Sequence, residues 1–236
     1  MAAYRLIITD VTCYGSLYCV AGWAADRGLM IRPEPPSANM ASEPSKFWDA
    51  RFAGPGRLFA VGNVVTFEAR RPPADFPFPH ATEDRIVDLT RPSNVLRALN
   101  EMQTARAVAA GVSATLEAAF DGGLVRAGSG KAYVPAGHAG RSLGAVEAPP
   151  EQINFFEDSY QGNKPKLRAE LTIAGVDYDL SVPADAVRTR WKAAGLAGLR
   201  ADLKASRRAH LRVGLSRPFP AMPNQCYAQI NGIYFM

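Results

Sequence analysis

Apolar and polar positions alternate along most of this chain and switch to a helical period in two places. YRLIITDV (4–11) alternates, is rich in Ile and Val, and reads as a strand. CYGSLYCVAGWAADRGLMIRP (13–33) continues as two short extended pieces around a turn near Asp26-Arg27-Gly28, and Pro33, Pro35 and Pro36 stop it. Residues 34–56 are rich in Pro, Ser and Gly and read as a loop. RLFAVGNVVTFEARRP (57–72) predicts a hairpin turning at Gly62-Asn63. The prolines extend 73–80, and DRIVDL (84–89) is a short strand. From Ser93, a candidate N-cap, the period changes. Val95, Leu96, Leu99, Met102, Ala105 and Val108 fall at helical spacing, which predicts a helix over 94–120 ended by Gly122-Gly123.

The second half has a clearer order. SLGAV (142–146) is a strand, and KLRAELTI (166–173) with VDYDLSV (176–182) is a hairpin across Ala174-Gly175. After Pro183, residues 184–208 form an amphipathic helix with Val187, Trp191, Leu199 and Leu203 on one side. HLRVGLSRPF (210–219) and CYAQINGIYF (226–235) are two more strands. The order β-β-β-α-β-β is that of an OB-fold, a five-stranded, partly open barrel that binds oligonucleotides. The fold class expected is therefore mainly β (α+β): an OB-like unit over 1–92, a helical connector over 93–125, and a second OB-like unit with one helix over 126–236.

Charge changes the picture locally. The net charge is +5 and the pI about 9.2. Residues 164–217 hold twelve Lys/Arg against five Asp/Glu, a local +7, so the remainder sums to −2. One region carries the whole basic excess, which suits either a polyanion binder or a solvated basic helix. No apolar run is long enough to span a bilayer, and the N-terminus has no secretory pattern, so the cytosol is the expected compartment. Cys13, Cys19 and Cys226 are too few for a disulfide framework or a zinc set and read as small buried hydrophobes.

Within RAGSGKAYVPAGHAGRSLG (126–144), the fragment GSGK looks like the end of a phosphate-binding loop. That loop needs G-x-x-x-x-G-K-[ST]. Here Val125 stands where the first Gly belongs, and Ala132 replaces the Ser/Thr. The segment reads as a glycine-rich turn entering a strand, with Lys131 and Arg141 at a basic edge. No cofactor motif is present.

The three histidines are His80, His138 and His210. His80 lies beside Glu83 and Asp84, and His138 lies near Lys131 and Arg141. Either group offers acid–base chemistry on nucleic acid, although polar groups fixing a corner explain His80, Glu83 and Asp84 equally well. Binding is the better-supported reading. An OB barrel presents aromatics and cations on its second and third strands. The candidates are Lys131, Arg141, Lys166, Arg168, Tyr178, Arg188, Lys192, Arg212, Arg217 and Tyr227, with no catalytic and no metal-ligating residue among them.

CVAGW with IRP (19–23, 31–33), HATED (80–84), RSLG (141–144), YDLSVPAD (178–185), LRVGLSRPF (211–219) and CYAQINGIY (226–234) together resemble the bacterial dual OB-containing domain family over nearly the whole chain. The resemblance implies two OB-like barrels and a non-enzymatic nucleic-acid-binding role in bacterial defence or mobile-element conflict. It supplies no catalytic residue. A nucleic-acid-processing enzyme and a protein-docking adaptor are the alternatives.

Overall fold

The first strand, β1 (Ala2–Tyr14), is thirteen residues long and serves two neighbours. Its second half pairs antiparallel with β2 (Leu17–Ala24), and its first half with β4 (Asn63–Arg70). A register shift between Ile8 and Asp10 marks the change of partner and bends the strand. β2 pairs with β3 (Leu29–Glu34), β3 runs parallel to β5 (Asp84–Val87), and β5 pairs with β4. The circuit β1-β2-β3-β5-β4 thus returns to β1 as a closed five-stranded barrel. Leu6, Ile8, Ile31, Val65, Trp48 and Phe59 fill it. The computed structural model describes residues 1–38, 46–159 and 165–236. Residues 39–45, within the loop expected at 34–56, lie outside the described residues.

Two expectations for this half are corrected. Residues 57–61 form no strand, so the hairpin expected at 57–72 has only its second arm, β4. The segment read as helix from 94 begins instead as strand β6 (Asn94–Ala98), which pairs with β4. Short apolar runs do not distinguish strand from helix by period alone. The free edge of β4 takes the segment as a strand. Helix α1 (Glu101–Val108) starts later, at Asn100. That residue, not Ser93, caps it through a reciprocal pair of hydrogen bonds with Gln103. A single-turn helix, α2 (Leu116–Ala119), follows.

The 126–144 stretch is a turn between two short strands. β7 (Val125–Arg126) and β8 (Ala132–Pro135) pair across residues 128–130. The second barrel comprises β9 (Leu143–Ala148), β10 (Ile153–Asp158), β11 (Lys166–Ile173), β12 (Val176–Ser181), β13 (Ala209–Leu215) and β14 (Gln225–Phe235). Its sheet runs β10-β11-β12-β14-β13-β9, with β12 parallel to β14. β9 and β10 are consecutive, parted only by the turn Pro150–Gln152, so they act as one interrupted first strand. Counted this way, both halves share the order 1-2-3-5-4, with parallel third and fifth strands.

Helix α3 (Asp185–Ala205) joins the third and fourth strands of the second barrel. Gly195 breaks it with φ 64° and ψ −170°, a conformation essentially reserved for glycine. Arg190 and Asp202 then meet at 2.8 Å. In a straight helix twelve residues would separate them by about 18 Å. The element is therefore a helical hairpin. Among the described residues no helix is long and apolar enough to cross a membrane.

Candidate functional site

β13 shows how the barrels meet, because all seven of its residues are buried. Ala209, Leu211, Val213 and Leu215 face the second core. His210 and Arg212 alternate with them and face the first barrel, where Arg212 meets Asp10. On the opposing side, β3 turns Met30, Arg32 and Glu34 outward, and each is less than a tenth exposed. Ala21, Met30 and Trp23 pack against Leu143 of β9. The outer face of the second and third strands, the usual ligand face of an OB barrel, is thus largely covered in the first barrel by the second.

A buried polar network fills this junction. Arg32 Nη1 bonds Asp84 Oδ1 at 2.6 Å, and its Nη2 donates to Ser142 Oγ at 2.9 Å. Ser142 donates through its backbone N and its Oγ to the two oxygens of Glu83 (2.9 and 2.8 Å). Arg217 reaches across to Glu34 (2.8 Å) and to the second oxygen of Asp84 (2.9 Å). His80 Nε2 lies 3.1 Å from the Leu215 carbonyl. An imidazole facing a carbonyl there donates from Nε2. Burial, with Arg217 and Arg32 nearby, pushes its pKa well below the usual range, so the ring is neutral. Farther along, Arg212 pairs with Asp10 at 3.2 Å, and Tyr234 Oη donates to the Thr9 carbonyl at 2.8 Å.

Burial governs the acids as well. It raises Glu83 to about 7 and Asp10 to about 6, despite the arginines that lower them. Burial and the neighbouring Asp84 raise Glu34. His210 sits 3.5 Å from Glu147, but burial and Arg212 push its pKa down to about 3, so the contact is not an ion pair. His80, Glu83 and Asp84 therefore fix the corner between the barrels.

Three expected binding residues lie in these interiors. Arg212 and Arg217 belong to the junction, and Tyr178 is a core residue of the second barrel whose hydroxyl donates to Glu117. In this structure none of the three offers its polar end to a ligand. Alternation in sequence places a side chain outward but does not say whether water or a second barrel covers it.

The remaining candidates fall into separate places. On the open β11–β12 face of the second barrel, Lys166 and Arg168 share the surface with Glu170, Asp177 and Asp179. Arg168 is already paired with Asp179 at 2.7 Å, so this face is unsuited to a polyanion. Arg141 is tied to Asp121 and to the Ala118 carbonyl. His138 packs against Gly123 and Gly140. Arg188 donates to the Cys13 carbonyl, whereas Lys192 is exposed on α3. Lys131 is exposed at the β7–β8 turn, one strand from Tyr227.

Around Tyr227 the structure gathers residues that sequence reasoning missed. Tyr133 of β8 and Tyr227 of β14 are both half-buried, with ring centroids 5.8 Å apart. The loop after β13 exposes Phe219 and Met222 by about half, and the loop after β4 exposes Phe78. These are the loops between the fourth and fifth strands of each barrel, which serve as ligand loops in OB-folds. Backbone bonds from Gly137 N to Phe78 O and from Ala136 N to Asn224 O, together with the His80–Leu215 contact, hold them beside β8. β14 then runs from this aromatic corner to Ile233–Phe235, beside α3. At about 3.3 Å per residue, the corner and the basic helix stand roughly 20 Å apart.

The pattern of two five-stranded circuits agrees with comparison to known families. The dual OB-containing domain matches residues 4–233. The chain belongs to that family. Within this dual OB protein, HATED, IRP, RSLG and LRVGLSRPF, the phrases that resemble the family, supply most of the junction network. A comparison with curated proteins found no match.

Proposed function

We propose that this dual OB protein binds single-stranded nucleic acid without catalysing a reaction. The aromatic corner stacks bases on Tyr133, Tyr227 and Phe219, while Lys131 meets the backbone beside it. Arg188 and Lys192, both on α3, are the backbone contacts at the far end. The observation that carries this reading is the half-exposed Tyr133–Tyr227 pair between the two joined ligand loops, with a cation at its edge. Stacking on aromatic rings with cations along the strand is how sequence-tolerant single-strand binders work. Catalysis by His80 and Asp84 finds no support, because both are buried and engaged inside the junction. The setting of defence or mobile-element conflict remains part of the proposal.

The test is fluorescence anisotropy of labelled single- and double-stranded DNA and RNA at several salt concentrations. Tyr133→Ala and Tyr227→Ala are each expected to cost about 1–3 kcal/mol on single strands. Lys131→Ala should flatten the log–log salt slope by roughly 0.7. Tyr178→Phe, a core change, should leave affinity unaltered. No binding to any strand at low salt, or binding indifferent to both tyrosines, would refute the proposal.

A further inference from the structure

The second barrel does not cover the whole ligand face of the first. At its rim a cavity of about 310 Å³ opens between the barrels. Trp23, Met30, Val112 and Leu143 wall it, and three charged side chains reach it: Glu83, Arg85 and Arg141. Arg85 is 7% exposed. Its Nε donates to Tyr4 Oη at 3.0 Å, and its Nη1 donates to the carbonyls of Thr82 and Asp84 at 3.1 and 2.6 Å. Every one of these acceptors is neutral. Among the described residues no carboxylate lies within ion-pair distance of Arg85. A buried guanidinium without a counter-ion is costly, and here it borders an open cavity. The Glu83 carboxylate is already occupied by both donors of Ser142. Arg141 is already paired with Asp121, so Arg85 carries the charge without a carboxylate. That charge favours an anion, and the indole of Trp23 offers an aromatic wall. The volume sits at the small end of ligand pockets.

We infer that this cavity is a nucleotide site, with the phosphate held by Arg85 and Arg141 and the base against Trp23. A free mononucleotide and the terminal nucleotide of a strand share this chemistry. The inference does not depend on strand binding at the tyrosine corner.

Tryptophan emission of the full chain, titrated with AMP, CMP, GMP and UMP, tests it. At least one should quench saturably, and Trp23→Phe should abolish the quenching, which separates Trp23 from Trp48 and Trp191. Arg141→Gln and the cavity-filling Ser113→Phe should each weaken binding at least tenfold, as should replacing the nucleotide with its nucleoside. Neither variant touches Arg85, whose loss endangers folding. A 5′-phosphorylated oligonucleotide that quenches when free mononucleotides do not would assign the site to a strand end. Mononucleotide quenching retained in Tyr133→Ala separates this site from the aromatic corner. The inference is overturned if neither nucleotides nor the phosphorylated oligonucleotide quench saturably, if quenching survives Trp23→Phe, or if nucleosides bind as well as nucleotides.

Discussion

Replacing Asp84 with Asn changes almost no volume and removes one charge from the middle of the junction. Asp84 is fully buried, and each of its oxygens serves a different arginine: Arg32 at 2.6 Å and Arg217 at 2.9 Å. An Asn oxygen can keep one of them, but its amide then points donor-to-donor at the other. Arg32 retains Ser142 and Arg217 retains Glu34, so the guanidiniums stay buried but undercompensated. Breaking a buried pair in this way costs about 3–5 kcal/mol, a large part of the roughly 5–15 kcal/mol that holds a domain folded. At about 2–4 °C per kcal/mol for a chain of this size, the midpoint should fall by roughly 6–20 °C. Urea unfolding followed by tryptophan emission measures the loss directly, provided the slope m is unchanged. Asp49→Asn is the internal control. Asp49 and Arg51 also meet at 2.6 Å, but on the surface, and an exposed pair of that kind contributes little or nothing. If Asp84→Asn shifts the urea midpoint no more than Asp49→Asn does, the junction network does not hold the barrels together.

Glu83 should make the fold less stable as pH rises. Its pKa is about 7 in the folded chain against 4.5 as the ordinary value. The folded state therefore binds the proton more tightly, and the stabilisation, complete below pH 4.5, is lost through pH 7. His80 and His210 are shifted downward and destabilise only below pH 6.5. Between pH 6.5 and 8 the urea midpoint should fall, and Glu83→Gln should shrink that fall; a midpoint that rises or stays flat in the wild type contradicts the assignment. Gly195→Ala should cost about 1–3 kcal/mol, because alanine must strain to reach the break in α3 and the Arg190–Asp202 pair depends on that break; an unchanged calorimetric midpoint would show the hairpin is not needed.

The strands of the second barrel other than β10, the 184–208 helix and the basic bias stand in the sequence as period and composition. What escaped has physical causes. β6 is a short apolar run whose state is decided by the free edge of β4, a partner some thirty residues away in sequence. Pro149-Pro150 interrupts the first strand of the second barrel, and only the piece before it, β9, stands out in the sequence; β10 does not. Arg212 and Arg217 alternate with core residues as surface cations do, and only the docking of the barrels reveals that their outer side is also interior. Tyr133 went unremarked beside the glycines of the same stretch. Its meaning depends on Tyr227, which reaches it only through the β8–β14 pairing.

The hydroxyl of Tyr234 rests on the carbonyl of Thr9, 225 positions earlier, and Arg212 closes on Asp10 across 202. A ribosome delivers β1 first and its last partners near the end. Until β13 and β14 emerge, Asp10 lacks its ion-pair partner Arg212 and the outer side of β3 has no cover. The nascent first half is thus a barrel with an apolar and charged flank open to water, a surface that chaperones would shield and proteases would find. A chain that stops short of β13 therefore keeps its first barrel but leaves Asp10 and the outer side of β3 facing water.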